Sequence, residues 1–529
     1  MTTPSARLVR FLKRFVRGYY PFIVAAAVLV PHARLFDFVT DDAYISFRYA
    51  RNLALHGQLV FNLGERVEGY TNFLWTVILA LGIKLGVGPV VLSRFLGVAF
   101  GIATLAVVVR MSLRLSGERR SRWHLVAPLL LASMGAYACW CSGGLETQLF
   151  TFLATLGFTL VLGEVTLGRG YASAAAFAFA AMTRPEGALL FALVALFRIL
   201  TNWRRERRVL PQGFELAWVA IFVGLFAPYF LWRWRYYGWP FPNTFYVKSS
   251  SSGGAWRLGV FYLRRFCEDY GVHFLLLVIL FGRAAREDER RQDLRLLAAI
   301  VSLAFAAYVV KVGGDFMGLY RFILPVVPLG AVVVAESARR LYAQIRLRVG
   351  ARVAAAALGV VAAGFLVGSV HTSRQAMTFV GADNGIDMPA YLKTYAEERI
   401  PVGQWLRQYR QDADLMTVGG AGVIPYYSEI PAYDVFGLVD ARIAHDPHMT
   451  VSNRPGHQKW GSDDYMLSRK PTLITHHYCL GGACPVNNGW TPTGYEWVRA
   501  TTSPPGQKPS YYSFLKRRDR AFGPFPAVP

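Results

Sequence analysis

Two adjacent carboxylates near the amino terminus are the first residues of this sequence that could do chemistry. Asp41 and Asp42 stand in the stretch FVTDDAYISFRYARN, residues 38–52, directly after a long apolar segment. A carboxylate can act as a general base on a hydroxyl group, and partial burial raises its pKa and strengthens it as a base. A neighbouring cation such as Arg51 could bind a phosphate. Together these groups would suit glycosyl transfer from a lipid-linked sugar phosphate, because the acceptor loses a proton and the leaving phosphate needs stabilisation.

The acid pair also has an ordinary structural interpretation. Thr40 followed by two acids is a common helix start, since threonine caps backbone N–H groups and carboxylates favour the positive end of the helix dipole. Helical spacing would then place Asp41, Tyr44 and Arg48 along one face. A capped helix start and a catalytic site are both compatible with this pattern.

Four further turns between apolar segments carry charged or aromatic side chains that could belong to the same site. They are CSGGLETQ (141–148) with Glu146, MTRPEG (182–187) with Arg184 and Glu186, WRYYGWPFPNTFYVK (234–248) with Lys248, and KVGGDFMGLYRF (311–322) with Asp315, Tyr320 and Arg321. A charge at the membrane border is costly in lipid and usually faces a cavity. Each charge alone is more often merely solvated, but their convergence on one face favours a site.

The composition indicates which elements position these residues. Of the 529 residues, 54% are hydrophobic and only 17% are charged, which is typical of a polytopic membrane protein. The formal net charge of +24 would suggest a polyanion partner in a soluble protein. Here the arginines cluster between apolar segments, as the positive-inside rule describes, so nucleic-acid binding is not expected. Five cysteines are too few for a disulfide scaffold.

The arginine clusters give a predicted topology. They lie at 110–122, 198–208, 283–295 and 339–352, and we place them in the cytoplasm. The amino terminus is basic and shows no cleavage site, so the first apolar segment is interpreted as a span that starts inside. The predicted spans are 19–35, 89–109, 123–139, 146–167, 171–183, 187–200, 213–232, 271–282, 296–311, 320–337 and 353–370, about eleven helices. Residues 1–370 would form this membrane domain.

One apolar stretch, Phe73 to Ile83, is short for a span and is predicted to lie along the membrane as a juxtamembrane helix. The first outer loop then runs from 36 to 87 and carries the acid pair. Residues 371–529 hold no span and are predicted to form a periplasmic α/β domain that binds glycans. Its helix at 402–411 precedes a strand at 414–420 and a second one within 431–440. Cys479 and Cys484 could form a disulfide in an oxidising periplasm or stay free thiols.

The motifs together resemble a known family. They are TDDAYISFRYARNLALHGQLVFN (40–62), ERVEGYTNFLW (65–75), SGGLET (142–147), TRPEG (183–187), GGDFM (313–317) and DVFGLVD (434–440). The chain looks like a GT-C-type membrane glycosyltransferase, and within that class it is similar to the mycobacterial-type terminal β-(1→2) arabinofuranosyltransferases. The resemblance spans nearly the whole chain.

The resemblance implies a polyprenyl-phosphate-linked sugar donor, arabinofuranose as the best-known sugar, and a cell-envelope glycan as the acceptor, at the outer face of a bacterial inner membrane. By the family's pattern Asp41 is the base and Asp42 its partner. The expected donor-phosphate ligands are Arg184, Lys248, Arg321, Arg51 and His56. The expected substrate contacts are Glu146, Glu186, Asp315, Tyr44 and Tyr320.

A divalent cation such as Mg, Mn or Ca could bind Asp41, Asp42 and Asp315 through oxygen ligands. The histidines of the outer domain, among them His476 and His477, show no spacing typical of zinc. Two other classes of protein compete with a transferase. A transporter or flippase of envelope lipids or glycans also carries intramembrane charges, but it usually shows internal repeats, which this sequence lacks. In a scaffold or lipid-binding protein the acids would be structural caps only.

Overall fold

The computed structural model describes residues 4–117, 121–248, 254–283, 287–449, 459–487, 489–503 and 509–525, and the side chains of residues 4–19 and 248 lie outside that description. The chain is helical over most of its first three quarters. The helices there are α1 (Pro4–Phe36), α2 (Asp41–His56), α3 (Phe73–Lys84), α4 (Pro89–Ser116), α5 (Val126–Ser133), α6 (Gly135–Cys139), α7 (Thr147–Leu167), α8 (Ala172–Thr183), α9 (Glu186–Glu206), α10 (Gly213–Tyr237), α11 (Asn243–Lys248), α12 (Ala255–Asp269), α13 (Val272–Phe281), α14 (Glu289–Val312), α15 (Val327–Val349) and α16 (Ala351–Thr378). Short 3-10 helices, Arg122–Leu125 and Leu324–Val326, lead into α5 and α15.

Six helices among the described residues are long and apolar enough to cross a membrane: α4, α7, α9, α10, α14 and α16. The apolar half of α1, Tyr20–Phe36, and α2 would make a seventh crossing if counted as one broken span, but they are bent by 98°. The chain is therefore a multi-pass membrane protein. We do not treat α2 as spanning, because it turns away from α1 and packs into a sheet-containing core described below.

The predicted number of about eleven spans exceeds the number of long apolar helices. The segments predicted at 171–183 and 271–282 form α8 and α13, which have 12 and 10 residues. At about 1.5 Å per residue these helices are well short of a hydrocarbon core of about 30 Å. The segment at 123–139 is divided among a 3-10 helix, α5 and α6. The short helix predicted at Phe73 to Ile83 is present as α3, with 12 residues.

The chain divides into two compact units, and three segments contribute to each. Unit 1 consists of Met1–Asp37, Ser93–Phe230 and Trp256–Ala390, and unit 2 of Phe38–Leu92, Leu231–Ala255 and Tyr391–Pro529. The first loop with the acid pair therefore belongs to the same unit as the carboxyl-terminal domain. This grouping differs from the division at residue 370 that the sequence suggests, because hydropathy marks where spans end but not which loops pack together.

Unit 2 is built around a five-stranded sheet. The remaining elements of the chain are β1 (Ala382–Asp383), β2 (Ile386–Asp387), α17 (Pro389–Tyr409), β3 (Met416–Val418), α18 (Val423–Ser428), β4 (Ala432–Asp434), α19 (Ala441–His445), α20 (Asp463–Ser468), β5 (Leu473–Gly481), β6 (Tyr495–Thr501) and β7 (Tyr511–Arg517). The strand order is β4-β3-β5-β7-β6, with β3 parallel to β4 and β5 and the other pairs antiparallel. The predicted α/β start is confirmed, since β3, α18 and β4 follow one another between residues 416 and 434.

The core of unit 2 joins the first loop to this sheet. Ile45 and Tyr49 of α2 are buried in one apolar cluster with Leu406 of α17 and with Met416 and Val418 of β3. Tyr49 is fully buried, and burial of large apolar side chains contributes about 1.5–3 kcal/mol each. The position of α2, and hence of the acid pair at its start, is set by this packing.

Candidate active site

The acid pair lies in the first turn of α2, where the sequence predicts it. Thr40 precedes the helix in an extended conformation, and Asp41 and Asp42 follow as its first two residues. The helix ends at Gly57, whose φ of +69° suits glycine and whose N–H donates to the Leu53 carbonyl at 3.1 Å. The carboxyl-terminal end of α2 is thus fixed by a local sequence signal, whereas at its start the Thr40 side chain does not make the capping hydrogen bond that the sequence suggests.

Asp41 is held by a glycine-rich loop that is distant in the sequence. Its Oδ1 accepts a hydrogen bond from the Val423 N–H at 2.8 Å, and its Oδ2 accepts one from the Gly422 N–H at 3.2 Å. Burial raises the pKa of the Asp41 carboxyl, against the opposing effects of these N–H groups and of the Arg399 guanidinium. A partly buried carboxylate with a raised pKa and fixed orientation can serve as a general base. Asp42 is partly buried beside it.

The backbone of this loop approaches Asp41 so closely that one of its positions, Gly422, needs glycine. A Cβ at Gly422 would lie 2.0 Å from the Asp41 carbonyl oxygen, and one at Gly420 would lie 2.9 Å from the Tyr395 hydroxyl oxygen and 3.1 Å from Asp41 Oδ2. A Cβ at Gly419 would meet no atom within 4 Å. The segment Gly420–Val423, which we call the glycine loop, therefore has no room for a side chain at position 422, whereas a Cβ at position 420 would displace only the ends of the Tyr395 and Asp41 side chains.

The glycine loop gives a first prediction. Gly422→Ala forces the backbone of the loop away from Asp41, so we expect a loss of about 1–3 kcal/mol in the free energy of unfolding. Gly419→Ala is the matched control and should leave the free energy of unfolding unchanged. Thermal unfolding of the purified proteins measures the difference. Equal behaviour of the two variants would show that the loop does not close on Asp41.

Aromatic side chains and one cation surround the acid pair within unit 2. The Tyr44 ring lies 5.3 Å and 5.6 Å from those of Tyr426 and Tyr427, measured between centroids. The Arg399 guanidinium lies 3.3 Å from the Tyr395 ring centroid, a close cation–π contact. We call Asp41 and Asp42, with the surrounding Tyr44, Tyr395 and Arg399, the Asp41 cluster; within it Tyr44 and Arg399 are buried.

The other cations of α2 are held by protein groups or lie far from the acids. Arg51 donates to the Tyr426 carbonyl at 3.0 Å and pairs with Glu429 at 3.2 Å, so it anchors α18. His56 is exposed at the opposite end of α2, fifteen positions from Asp41, or about 22 Å along the helix axis. The structure does not bring His56 together with Asp41. Lys248 ends α11, and its side chain falls outside the described part of the chain.

Unit 1 contains a second charged group, which we call the Arg184 cluster. Arg184 donates to Glu146 Oε1 at 2.7 Å and, through Nε and Nη2, to both oxygens of Glu186 at 3.3 and 2.9 Å. The Tyr308 hydroxyl also donates to Glu186, at 3.1 Å. Arg184 is thus confined by two buried carboxylates, and three of the residues predicted for one site do lie together.

Asp315 and Arg321 form a second buried ion pair in unit 1. Arg321 Nε donates to Asp315 Oδ2 at 2.8 Å, and Nη2 donates to Oδ1 at 3.2 Å. A cavity of about 10 Å³, room for a single water, is lined by Arg184 and Arg321 together with Glu186. The two arginines therefore face one small cavity, which Phe150 and Phe322 also line, although each arginine has a carboxylate partner.

The loop that carries Asp315 has an unusual backbone. Leu319 and Tyr320 are consecutive non-glycine residues with φ of +56° and +53°, a conformation that costs about 1–3 kcal/mol per residue. The Trp140 indole donates to the Leu319 carbonyl at 3.0 Å, and the Tyr320 hydroxyl donates to Asp269. Such strain persists only where surrounding contacts over-determine it, and it concentrates at functional sites.

The remaining predicted residues lie in the following places. Cys479 and Cys484 are joined in a disulfide, with their Cα atoms 5.5 Å apart. The oxygen ligands expected for a divalent cation are divided between the units, Asp41 and Asp42 in unit 2 and Asp315 in unit 1. Tyr395, Arg399 and the glycine loop are not among the residues predicted from the sequence. The run GGAGV after a predicted strand was the available signal for the loop.

The fold of the chain is shared with a membrane protein of known structure. Its structure aligns with the crystal structure of ArnT from Cupriavidus metallidurans bound to undecaprenyl phosphate, with a TM-score of 0.55, covering 97% of this chain and 98% of that chain at 13% sequence identity. At this identity the likeness shows the fold, and the GT-C-type fold expected from the motifs is confirmed.

Sequence comparison finds relatives with higher identity than this structure. The chain is 28% identical over 322 residues to a terminal beta-(1->2)-arabinofuranosyltransferase of Mycobacterium tuberculosis, covering 53% of this chain and 49% of that protein. It is 27% identical over 331 residues to the protein of the same name from Corynebacterium glutamicum, covering 54% of this chain and 46% of that one. The chain spans about half the length of the curated relatives it matches. Residues 390–517 match a family described as Domain of unknown function (DUF8728).

Proposed function

We propose that the chain is a membrane glycosyltransferase that transfers a sugar, with arabinofuranose as the first candidate, from a polyprenyl-phosphate-linked donor to a cell-envelope glycan. The observation that carries the proposal is the oriented Asp41 carboxyl, with its raised pKa, at the start of α2. The relatives named as arabinofuranosyltransferases support the sugar, and the undecaprenyl phosphate of the ArnT structure supports the lipid carrier. Transfer would take place at the outer face of the inner membrane, with the amino terminus in the cytoplasm.

The reaction assigns a role to each group. An acceptor hydroxyl oxygen attacks the anomeric carbon of the donor, the bond between that carbon and the phosphate oxygen breaks, and the polyprenyl phosphate leaves with the bonding electrons. Asp41 takes the proton of the acceptor hydroxyl, and Asp42 supports it. Arg184 and Arg321 are the preferred ligands of the donor phosphate, since the guanidinium group suits phosphate oxygens. Lys248 is a further candidate, and Arg51 and His56 are weaker ones because of their positions on α2.

The proposed substrate contacts follow from the same two clusters. Tyr44 lies in the Asp41 cluster and would contact the glycan acceptor. Glu146, Glu186 and Asp315 would act on the donor by orienting the two arginines, since each is ion-paired with one of them. Tyr320 would act through the strained loop.

Transfer from a radiolabelled polyprenyl-phosphate-arabinofuranose to an arabinofuranosyl oligosaccharide tests the proposal. The experiment uses the full-length protein in detergent, with unglycosylated polyprenyl phosphate as a competitor. We expect labelled product and its suppression by the competitor. Donor binding without transfer would overturn the choice of sugar or acceptor, and the absence of donor binding would favour the transporter or scaffold alternatives.

The raised pKa of Asp41 predicts the pH dependence of transfer. The base must be ionised, so the rate should fall as pH falls through a pKa above the ordinary value of 3.8. A raised pKa in the folded state also means that protonation of Asp41 favours folding, and this contribution is lost as pH rises through the folded pKa. Titration of Asp41 therefore cannot itself unfold the protein in acid. A rate profile measured beside thermal unfolding checks this, and an acid limb at or below 3.8 would contradict it.

A further inference from the structure

Unit 2 contains a group of three side chains that the proposed reaction does not use. Asp463 Oδ1 lies 3.4 Å from His476 Nε2 and 3.2 Å from His477 Nε2. One ligand atom from each of the three residues lies within 4.8 Å of the others. His476 is fully buried, whereas the side chains of His477 and Asp463 are 32% and 37% exposed, so the group is open to solvent on one side.

An irregularity in β5 makes this group possible. His476 and His477 are consecutive, and consecutive side chains of a regular strand point to opposite faces. Between Ile474 and Cys479 the strand advances five residues while its partner β7 advances two, from Leu515 to Ser513. The extra residues form a bulge, a device that re-aims side chains and is frequent beside functional sites. Both imidazoles therefore reach the same carboxylate.

A second contact orients the buried imidazole. His476 Nδ1 is hydrogen-bonded to the Thr417 hydroxyl at 2.8 Å, and the Thr417 carbonyl accepts from the Thr475 hydroxyl at 2.8 Å. A partner on one ring nitrogen orients the ring and leaves the other nitrogen for a ligand. The His477 ring packs against Trp490, with centroids 4.6 Å apart. Each imidazole is therefore oriented by a neighbouring residue, His476 by Thr417 and His477 by Trp490.

We propose that Asp463, His476 and His477 bind a divalent transition-metal ion of the Zn²⁺ class. Two imidazole nitrogens and one carboxylate oxygen are ligands that zinc accepts, and three protein ligands leave a coordination position for water or a glycan hydroxyl. Bonds of about 2.0–2.1 Å in tetrahedral geometry place ligand atoms about 3.3 Å apart. The observed separations of 3.2 and 3.4 Å match that requirement. The proposal is independent of the transferase reaction.

Titration with Co²⁺, a coloured substitute for Zn²⁺, tests the site. The full-length protein, purified through a tag without histidine and stripped with a chelator, should bind one Co²⁺ per chain with the visible absorption of a four-coordinate ion, and Zn²⁺ should displace it. His477→Ala and Asp463→Asn should weaken binding by about tenfold or more, and Thr417→Val by about 10- to 100-fold through loss of orientation.

Two exposed residues of unit 2 provide controls. Asp464→Asn and His448→Ala alter an acid and a histidine of the same unit and should bind Co²⁺ like the wild type. Zn²⁺ should raise the thermal midpoint of the wild type and of these controls, but not of His477→Ala or Asp463→Asn, because binding to the folded state stabilises it. The proposal is overturned if the wild type binds no stoichiometric metal, or if Asp463→Asn and His477→Ala bind it unchanged.

Discussion

Asp41→Asn is expected to lower the rate of sugar transfer by about 10²- to 10⁴-fold, the range that a positioned general base contributes. An asparagine has nearly the same shape as aspartate and its carbonyl oxygen can still accept the Val423 N–H, but it cannot take a proton at neutral pH. The bond from Val423, at 2.8 Å, is the shorter of the two that hold this side chain, so we expect the fold to survive. The rate of the purified variant, with donor and acceptor at saturation, measures the effect.

Two further variants separate catalysis from folding. Asp42→Asn should lower the rate less than Asp41→Asn if Asp42 only supports the base. Asp412→Asn changes an exposed acid of the same unit and should leave the rate and the thermal midpoint unaltered. If Asp41→Asn keeps the wild-type rate while Asp42→Asn loses it, the base is Asp42. If both keep it, the acid pair serves only as a helix start and as a clamp on the glycine loop.

The local parts of this site could be predicted from the sequence because short-range signals determine them. Acids after Thr40 mark the start of α2, and Gly57 marks its end. The strands predicted at 414–420 and within 431–440 contain β3 and β4. Each of these signals acts within a few residues, so a single sequence contains all the information.

The partners of Asp41 could not be predicted in this way. Gly422 is 381 positions from Asp41 along the chain, and the sequence around neither residue predicts that the two are in contact. Their contact depends on α2 packing against the sheet of unit 2, which is a property of the folded core. The grouping of His476 and His477 could not be predicted either. It depends on a bulge in β5 that lets two consecutive side chains reach the same carboxylate, and the sequence has no spacing typical of a zinc site.

The Arg184 cluster shows what a charge pattern leaves undetermined. The sequence suggests Arg184 as a phosphate ligand and Glu146 and Glu186 as substrate contacts, but it cannot show that the three side chains bond to one another. Arg184 is ion-paired with two buried acids, so it neutralises their charges whether or not it also binds the donor. A useful variant has to separate the two roles.

Arg184→Met is expected to destabilise the protein by about 3–5 kcal/mol, because it leaves Glu146 and Glu186 buried without their cation. Methionine keeps most of the length of the side chain, so the loss reports charge more than packing. Arg352→Met alters an exposed arginine of α16 and serves as the matched control, with no expected change. Thermal unfolding in detergent measures the difference.

A triple variant tests donor binding apart from stability. Arg184→Met combined with Glu146→Gln and Glu186→Gln removes all three charges, and Tyr308 can still donate to an amide oxygen at position 186. We expect it to recover most of the lost stability, since replacing a whole buried ionic group by neutral residues is often close to neutral. Its affinity for the lipid-phosphate donor should stay about 10- to 100-fold below wild type, because one charge-assisted hydrogen bond contributes about 1.5–3 kcal/mol. A triple variant that binds the donor like the wild type would show that Arg184 only neutralises the two glutamates, and the phosphate would then have to be held by Arg321 or by another cation.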